Sequence, residues 1–434
     1  MKILIVTNLF PPHHAGTYDL RCQAVAELLR LRGHVFRILT SNHGLNTEQR
    51  DGEIERRLFL NGMFGHPPVT AFRALQSLET HNNAALHEAI ADFQPDILYV
   101  WSLGGLSKSL IFSLRHSRLP TVYDVADDWI ACGLRDDPWL RWWNQPGTNL
   151  ARSSLEIAGQ RNRLETIAPT RMMKGFERIP EVYGSEKEVA AVAPDSIGAF
   201  RFDRLYFCSL GLKQKTLQAG FHVNHGDVIY PGIPTELFVG EVKTSPTIKR
   251  LLVVSRLNDS CGVKTALEAL RLARETNKHI TLSIYGRGES EYISQVRSLA
   301  VQKALPVEFL TVSNQNRDLS AVYQQHDALL YTAEWEEPFA VTPLEAMACG
   351  LPVIGARIGG AGELFRHGEN ALTFAPGDAT ELASRIQELQ MQPALRRQMA
   401  STAQTETLSK YSETTMVDQI ENYLNTSIEV WQHT

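Results

Sequence analysis

Long apolar runs are missing from this 434-residue sequence. The N-terminus, MKILIVTN, breaks off after a short apolar stretch, whereas a secretory signal needs about 7–15 apolar residues and a membrane span about 18. A cytoplasmic protein is expected. Paired cysteines are missing too. Cys22, Cys132, Cys208, Cys261 and Cys349 are odd in number, dispersed and without a C-x-x-C, which argues against a disulfide framework or a zinc knuckle and fits a reducing compartment. Nor is there an excess of positive charge. The 43 Lys+Arg against 48 Asp+Glu leave a net charge of −5, a poor basis for tracking nucleic-acid phosphates, so no nucleic-acid partner is expected. The mildly basic stretch 161–178 also carries Glu165 and Glu177, and a solvated face is read there rather than peripheral membrane contact. No G-x-G-x-x-G follows the first apolar run, which disfavours a nicotinamide dehydrogenase.

What is present alternates between two periods. Residues 3–6 (ILIV) suit a strand covered on both faces. After a loop with Pro11, Pro12 and Gly16, residues 19–32 place Leu20, Ala24, Leu28 and Leu31 at helical spacing, with Gly33 as the stop. VFRILT follows as a strand, then a helix at 82–93 before DILYVW and another near 106–116 before TVYDV. The alternation restarts at 249–257. Helices are expected at 262–275, 289–303, 318–325, 343–349 and 412–430, with strands ITLSIYG, VEFL, ALLYT and PVIGA between the earlier ones. This predicts an α/β chain of two Rossmann-like lobes with doubly wound parallel sheets facing a cleft. The expected lobes are 1–240, joined by the terminal helix 412–430, and 241–411. DVIYPGIP (227–234) has the prolines and glycine of a hinge. Sites in such folds lie outside the C-terminal strand ends and between domains.

The stretch that carries chemistry is YTAEWEEPFAVTPLEAMACGLPVI, residues 331–354. A strand ends, Glu337 opens a loop, and Glu345 lies eight positions on, in a helix read as starting near Pro343. Proline at N1 costs no hydrogen bond, because that amide is an orphan anyway. The N–H groups near Val341 and Thr342 would then point at a diphosphate, stabilised by the helix dipole. Glu345 is placed to accept from ribose hydroxyls, and Glu337 from a sugar over the loop. Arg256, at the end of a buried strand, has the bidentate geometry for phosphate oxygens.

The run from Glu337 to Glu345 resembles the E-x7-E motif of retaining GT-B glycosyltransferases, specifically family 4. The LEAMACGLPVI tail, Gly359-Gly360 with Glu363, FAPGD, the SRL containing Arg256 and the YGRGES turn fall in that family's order. The resemblance implies transfer of a sugar from a nucleotide-diphosphate sugar to an acceptor hydroxyl, with retention, no protein nucleophile, no cofactor and no metal. The acceptor class stays open among a sugar, a lipid-linked and a small-molecule acceptor. It also implies a donor site drawn from Gly16, Thr17, Arg256, Cys261, Lys264, Gly286, Val312, Leu319, Glu337, Phe339, Ala340, Val341, Thr342 and Glu345, with Arg256, Glu337 and Asp127 in the chemistry. In the family a glycine pair occupies the first loop; here its second member is Thr17.

Two family positions differ. Cys261 stands where a lysine is usual, with Lys264 one helical turn further, and Ala126 stands where a histidine usually precedes Asp127. Two other readings therefore remain beside the transferase: a nucleotide-sugar epimerase on the same scaffold, and a nucleotide-sugar-binding protein impaired in catalysis. The cluster of Trp129, Trp139, Trp142 and Trp143 with Asp127, Asp128, Asp136 and Asp137 reads equally as an acceptor surface or as hydrophobic covering. His13 and His14, and His222-x-x-His225, lack a partner at metal-ligand spacing. No D-x-D occurs. EDTA is accordingly expected to leave turnover unchanged; loss of activity in chelator, restored by magnesium or manganese, would contradict that expectation.

Overall fold

The computed structural model describes residues 1–69, 71–132, 137, 139, 202–238, 240–245, 247–310, 312 and 316–433. Trp142, Trp143, Asp136 and the stretch 161–178 lie outside them. The chain divides into two compact units, residues 1–229 with 417–434, and residues 230–416. The first division falls inside the 227–234 segment.

The first unit is built on a sheet of β1 (Lys2–Val6), β2 (Val35–Ser41), β3 (Gln49–Asp51), β4 (Ile54–Leu58), β5 (Ile97–Val100), β6 (Thr121–Val125), β7 (Arg204–Phe207) and β8 (Asp227–Val228). Their spatial order is β3-β4-β2-β1-β5-β6-β7-β8. All pairings are parallel except β3 on β4. Strands β1 and β5 to β7 are almost wholly apolar and buried, as strands covered on both faces must be. The short β3–β4 pair was not foreseen, because QRD and IERRL carry neither an apolar run nor an apolar–polar alternation.

Helix α1 (Thr17–Leu31) departs from the expected face. It buries Asp19, Cys22, Val25, Ala26 and Leu29, while Leu20 is 44% and Leu31 83% exposed. The buried face also holds a carboxylate, which apolar counting passes over. Asp19 is satisfied there by the amides of Ala15 and Gly16, at 2.9 and 3.2 Å. Next to it, Arg21 pairs with the fully buried Asp124 at 2.6 Å. Tyr206 donates to the other Asp124 oxygen at 2.7 Å. The later helices are α2 (Phe72–Phe93), α3 (Leu110–His116) and α4 (Leu210–Gln218). Helix α2 starts ten residues before the expected 82.

The second unit carries β9 (Arg250–Val254), β10 (Thr281–Tyr285), β11 (Val307–Leu310), β12 (Ala328–Tyr331), β13 (Val353–Ala356) and β14 (Leu372–Phe374). The order is β11-β10-β9-β12-β13-β14, parallel throughout. Numbered within the unit this is 3-2-1-4-5-6, the dinucleotide-fold order with its switch point between β9 and β12. Helices α5 (Val263–Ala273), α6 (Ser290–Gln302), α7 (Asn316–Gln324), α8 (Val341–Ala348), α9 (Ala361–Leu364), α10 (Ala379–Met391) and α11 (Pro393–Lys410) complete it. One face of the sheet is sealed by Leu251, Val253, Leu267, Leu270, Leu282, Ile284, Leu382 and Ile386. The terminal helix α12 (Glu413–Gln432) returns to the first unit, where Glu421 binds Arg32 and His34, each at 2.6 Å. Among the described residues no helix is long and apolar enough to cross a membrane.

Gly262, at the head of α5, tests how tightly the strand ends are packed. Its φ is +70° and a Cβ would lie 1.7 Å from the Thr332 carbonyl oxygen. Gly33 has φ +87° with nothing within 4 Å. Gly33→Ala should cost about 1 kcal/mol of backbone strain, whereas Gly262→Ala should cost about 2–4 kcal/mol, because two loops must also separate. Urea midpoints of both variants check this; equal losses would mean that the close approach is not a constraint.

Candidate functional site

In an open parallel sheet, strand-end loops diverge at the switch point and leave a crevice. In the second unit four such loops are laid side by side. The loop after β10 packs on that after β9: Leu257 donates to the Arg287 carbonyl at 2.8 Å and Glu289 to the Leu257 carbonyl at 3.3 Å. The loop after β9 packs on that after β12: Thr332 Oγ1 donates to the Cys261 carbonyl at 2.9 Å, and the Glu334 amide to the Ser260 carbonyl at 2.9 Å. The loop after β12 meets that after β13 where the Gly360 amide donates to the Glu337 carbonyl at 2.8 Å. Each junction has a glycine whose Cβ would collide with a neighbouring carbonyl: Gly286 with Ser255 at 1.9 Å and Gly288 with Leu257 at 1.8 Å at the first, Gly262 with Thr332 at 1.7 Å at the second, and Gly360 with Pro338 at 2.2 Å at the third.

On this platform Glu337 and Glu345 are both half-buried. Tyr331, the last residue of β12, donates its hydroxyl to Glu337 Oε2 at 2.7 Å. Tyr323 on α7 donates to Glu345 Oε2 at 2.8 Å. Burial raises both carboxyls above the ordinary range against the opposing pull of these hydroxyls, and Glu345 is pushed up to about 7. Neither tyrosine was singled out from the sequence. Tyr331 lay inside the recognised stretch, but Tyr323 is 22 positions from its partner, and nothing local marks it.

Helix α8 starts at Val341, so Pro343 is its third residue rather than its first. The consequence for the amides is unchanged, since the third position also lacks an intrahelical acceptor. Ala340 is the N-cap and makes no side-chain cap bond. The backbone donors of Val341 and Thr342 thus stand at the positive end of the helix. Phe339 and Ala340 are buried beneath them.

Arg256 follows β9 and is exposed at the strand end. Cys261 is 4% exposed within the core, its thiol 3.3 Å from the Tyr292 hydroxyl. Any contact of Cys261 with a ligand over the strand ends therefore passes through its backbone. Lys264, in the first turn of α5, pairs with Asp259 at 2.7 Å and lies over the Tyr292 ring. Gly286 joins the β9 loop, the Val312 carbonyl accepts from Arg287 at 3.2 Å, and Leu319 lies half-buried on α7.

The remaining site residues belong to the first unit. Gly16 is the N-cap of α1, and the amides of Ala15 and Gly16 both serve Asp19, leaving Thr17 exposed at the first helical position. Asp127, just after β6, accepts from Ser102 Oγ and from the Trp129 amide, both at 2.9 Å; burial pushes it up to about 6. Asp128 pairs with Lys215 at 2.8 Å. Asp137 accepts from the Lys108 amide at 3.1 Å. Trp129 and Trp139 are buried, the covering role among the two readings of that cluster.

Residues 240–406 match the family model of glycosyl transferases group 1. The chain is 32% identical over 171 residues to a glycogen synthase of Mycobacterium tuberculosis, covering 39% of this chain and 40% of that one. It thus spans about two fifths of that relative's length. Over 435 residues, 99% of both chains, it is 20% identical to an uncharacterized glycosyltransferase of Methanocaldococcus jannaschii. Among solved structures, Anabaena HepE in complex with UDP aligns with a TM-score of 0.67 at 19% identity, covering 98% of this chain and all of that one. Sucrose-phosphate synthase from Thermosynechococcus elongatus gives 0.67 at 15% identity over 99% of each chain. The architecture is the GT-B fold.

The raised Glu345 carboxyl carries a stability signature. In the unfolded chain a glutamate ionises near its ordinary 4.5, and in the fold near 7. Below the lower value both states are protonated and nothing is lost. As pH rises from there to about 7 the unfolded state ionises first, and the fold loses stability. Glu345→Gln, which keeps an acceptor for Tyr323, should raise Tm at pH 8 and leave it nearly unchanged at pH 4. A Tm difference independent of pH would refute the buried, protonated carboxyl.

Proposed function

We propose that this protein is a retaining glycosyltransferase that takes its donor, a nucleoside diphosphate sugar, on the strand-end platform of the second unit. The observation that carries the proposal is the joint placement of Glu337 and Glu345 around the N-terminus of α8, at the switch point of a 3-2-1-4-5-6 sheet. In this reading the diphosphate lies against the Val341 and Thr342 amides, with the Arg256 guanidinium supplying cationic charge as the leaving diphosphate develops its own. Glu345 accepts from the ribose and Glu337 from the transferred sugar. Lys264 supplies further charge once it exchanges Asp259 for phosphate. Asp127, held by Ser102, serves the acceptor. No side chain is assigned as nucleophile, and no metal is required by the groups named.

The support is of three kinds. The family model covers the whole platform. Anabaena HepE has been solved with UDP and with UDP-glucose on a similar fold, which makes uridine nucleotides the first donors to test. The tyrosine hydroxyls on both glutamates show that each carboxyl is oriented by a neighbour before any ligand arrives, which is what a hydroxyl-reading group needs.

Thermal shift with uridine, guanosine and adenosine diphosphates and their glucose conjugates should single out one base. Glu345→Ala should then weaken binding of that diphosphate by about 1–3 kcal/mol, the worth of a hydrogen bond to a charged group. Glu337→Ala should leave diphosphate affinity alone and lower turnover by at least tenfold. Calorimetry with the diphosphate, beside initial rates, separates the two. Intact rates in both Glu337→Ala and Glu337→Gln would remove the sugar-binding role. Conversion of a nucleotide sugar without any acceptor would favour the epimerase, and tight binding without turnover across an acceptor panel the impaired form.

A further inference from the structure

In the first unit, β4, β2 and β1 are adjacent and parallel. The loops leaving their C-terminal ends each contribute a histidine to one place. His43 lies two residues past β2, His66 in the loop after β4, and His13 in the loop after β1. His43 Nδ1 and His66 Nε2 face each other at 3.1 Å, with ring centroids 5.3 Å apart. His13 completes the group, near enough to act on His43 electrostatically. Its ring lies so near Gly44, where φ is +78°, that a Cβ there would be 2.3 Å from His13 Nδ1. All three histidines are half-buried, and His14 beside them is exposed.

Such a cluster is costly without a purpose, because two facing imidazoles cannot both be cationic. Burial, then His66 and His13, hold His43 below its ordinary range, and Asp19 on α1 pulls the other way. Asp19 in turn feels His14 and spends one oxygen on the amides of Ala15 and Gly16. The groups acting on His43 are therefore His66, His13 from the first loop and Asp19 from α1, with His14 acting on Asp19. Among the described residues no three His, Cys, Asp or Glu side chains are arranged to hold a metal ion.

We propose that His13, His43 and His66 form an anion-recognition site for a phosphate monoester carried by the acceptor. With His43 Nδ1 and His66 Nε2 engaged with each other, His43 Nε2, His66 Nδ1 and the His13 ring supply one donor from each of three loops. They match the three terminal oxygens of that group, at the strand ends where open α/β sheets bind ligands. Occupation by a dianion favours a protonated imidazole, so affinity rises as pH falls from about 8 to about 6, below which the phosphate takes up its own second proton. That the anion belongs to an acceptor rests on the glycosyltransferase reading; the existence of the site does not.

The test is histidine side-chain NMR of the full chain, with inorganic phosphate, glucose 6-phosphate, glucose and UDP compared at fixed ionic strength. Phosphate and glucose 6-phosphate should shift the His43 and His66 resonances and raise the apparent titration of His43 by about one pH unit. Glucose should do neither. Glucose 6-phosphate should bind at least fivefold tighter at pH 6 than at pH 8, and that gain should vanish in His43→Gln and His66→Gln. Urea midpoints confirm that the variants fold. No response beyond that to chloride, or a response that survives both substitutions, overturns the site. A response to UDP but not to glucose 6-phosphate overturns its assignment to an acceptor. If the phosphate response appears while no nucleotide binds at Glu345, the anion site stands and the transferase reading falls.

Discussion

Backbone lying directly on backbone is the constraint on which the second unit depends. Four loops leave neighbouring strand ends, and they touch mostly through amides and carbonyls, with the Thr332 hydroxyl as a side-chain link between two of them. At 1.7–2.2 Å from a carbonyl oxygen, no Cβ fits at Gly262, Gly286, Gly288 or Gly360. The gain is precision. A surface made of main chain has few rotamers to lose, so groups mounted on it need little ordering when a ligand arrives. It also accounts for the sequence signature: the turns YGRGES and Gly359-Gly360 are spacings between contacts rather than contacts themselves.

Electrostatics follow from that geometry. The platform presents the uncapped N-terminus of α8, and the two acids near it are half-buried and raised in pKa. Fully ionised glutamates there would repel the diphosphate of the proposed donor. Burial softens that conflict by shifting Glu345 towards its neutral form near pH 7, while the Tyr323 and Tyr331 hydroxyls fix the direction each carboxyl faces. In the proposed reading the same residues combine hydroxyl recognition with tolerance of a dense negative ligand. A surface acid at either position would supply the first property and forfeit the second.

The fold was largely readable because buried parallel strands are apolar runs and the helices between them keep a 3.6-residue period. ILIV, TVYDV and ALLYT became strands for that reason. The failures have physical causes. β3 carries charge as an edge strand is permitted to, and β4 beside it buries Glu55 and Arg56, satisfied by Arg37 and by the Phe10 carbonyl. α1 buries a face containing Asp19, and an apolar count cannot see a carboxylate satisfied by two backbone amides. Cys261 aligned with a cationic position, yet its side chain turns into the core against Tyr292, a direction that spacing alone does not encode. The partners Tyr323 and Tyr331 were invisible for a related reason. Hydrogen bonds between distant segments leave no periodic trace.

The first unit solves a different problem with the same material. Its sheet carries a buried ion pair between Arg21 and Asp124, capped by the Tyr206 hydroxyl and covered by the Trp101 and Tyr18 rings, both within about 5 Å of the guanidinium. Removing one member of such a pair strands the other in a low dielectric, at a cost of about 3–5 kcal/mol. The pair therefore fixes α1 against β6 more specifically than apolar packing, which tolerates sliding. That fixes where the first loop leaves β1, and so where Gly16, Thr17 and His13 come to rest. Main-chain stacking holds the strand ends of one unit, and a buried charge pair orients those of the other.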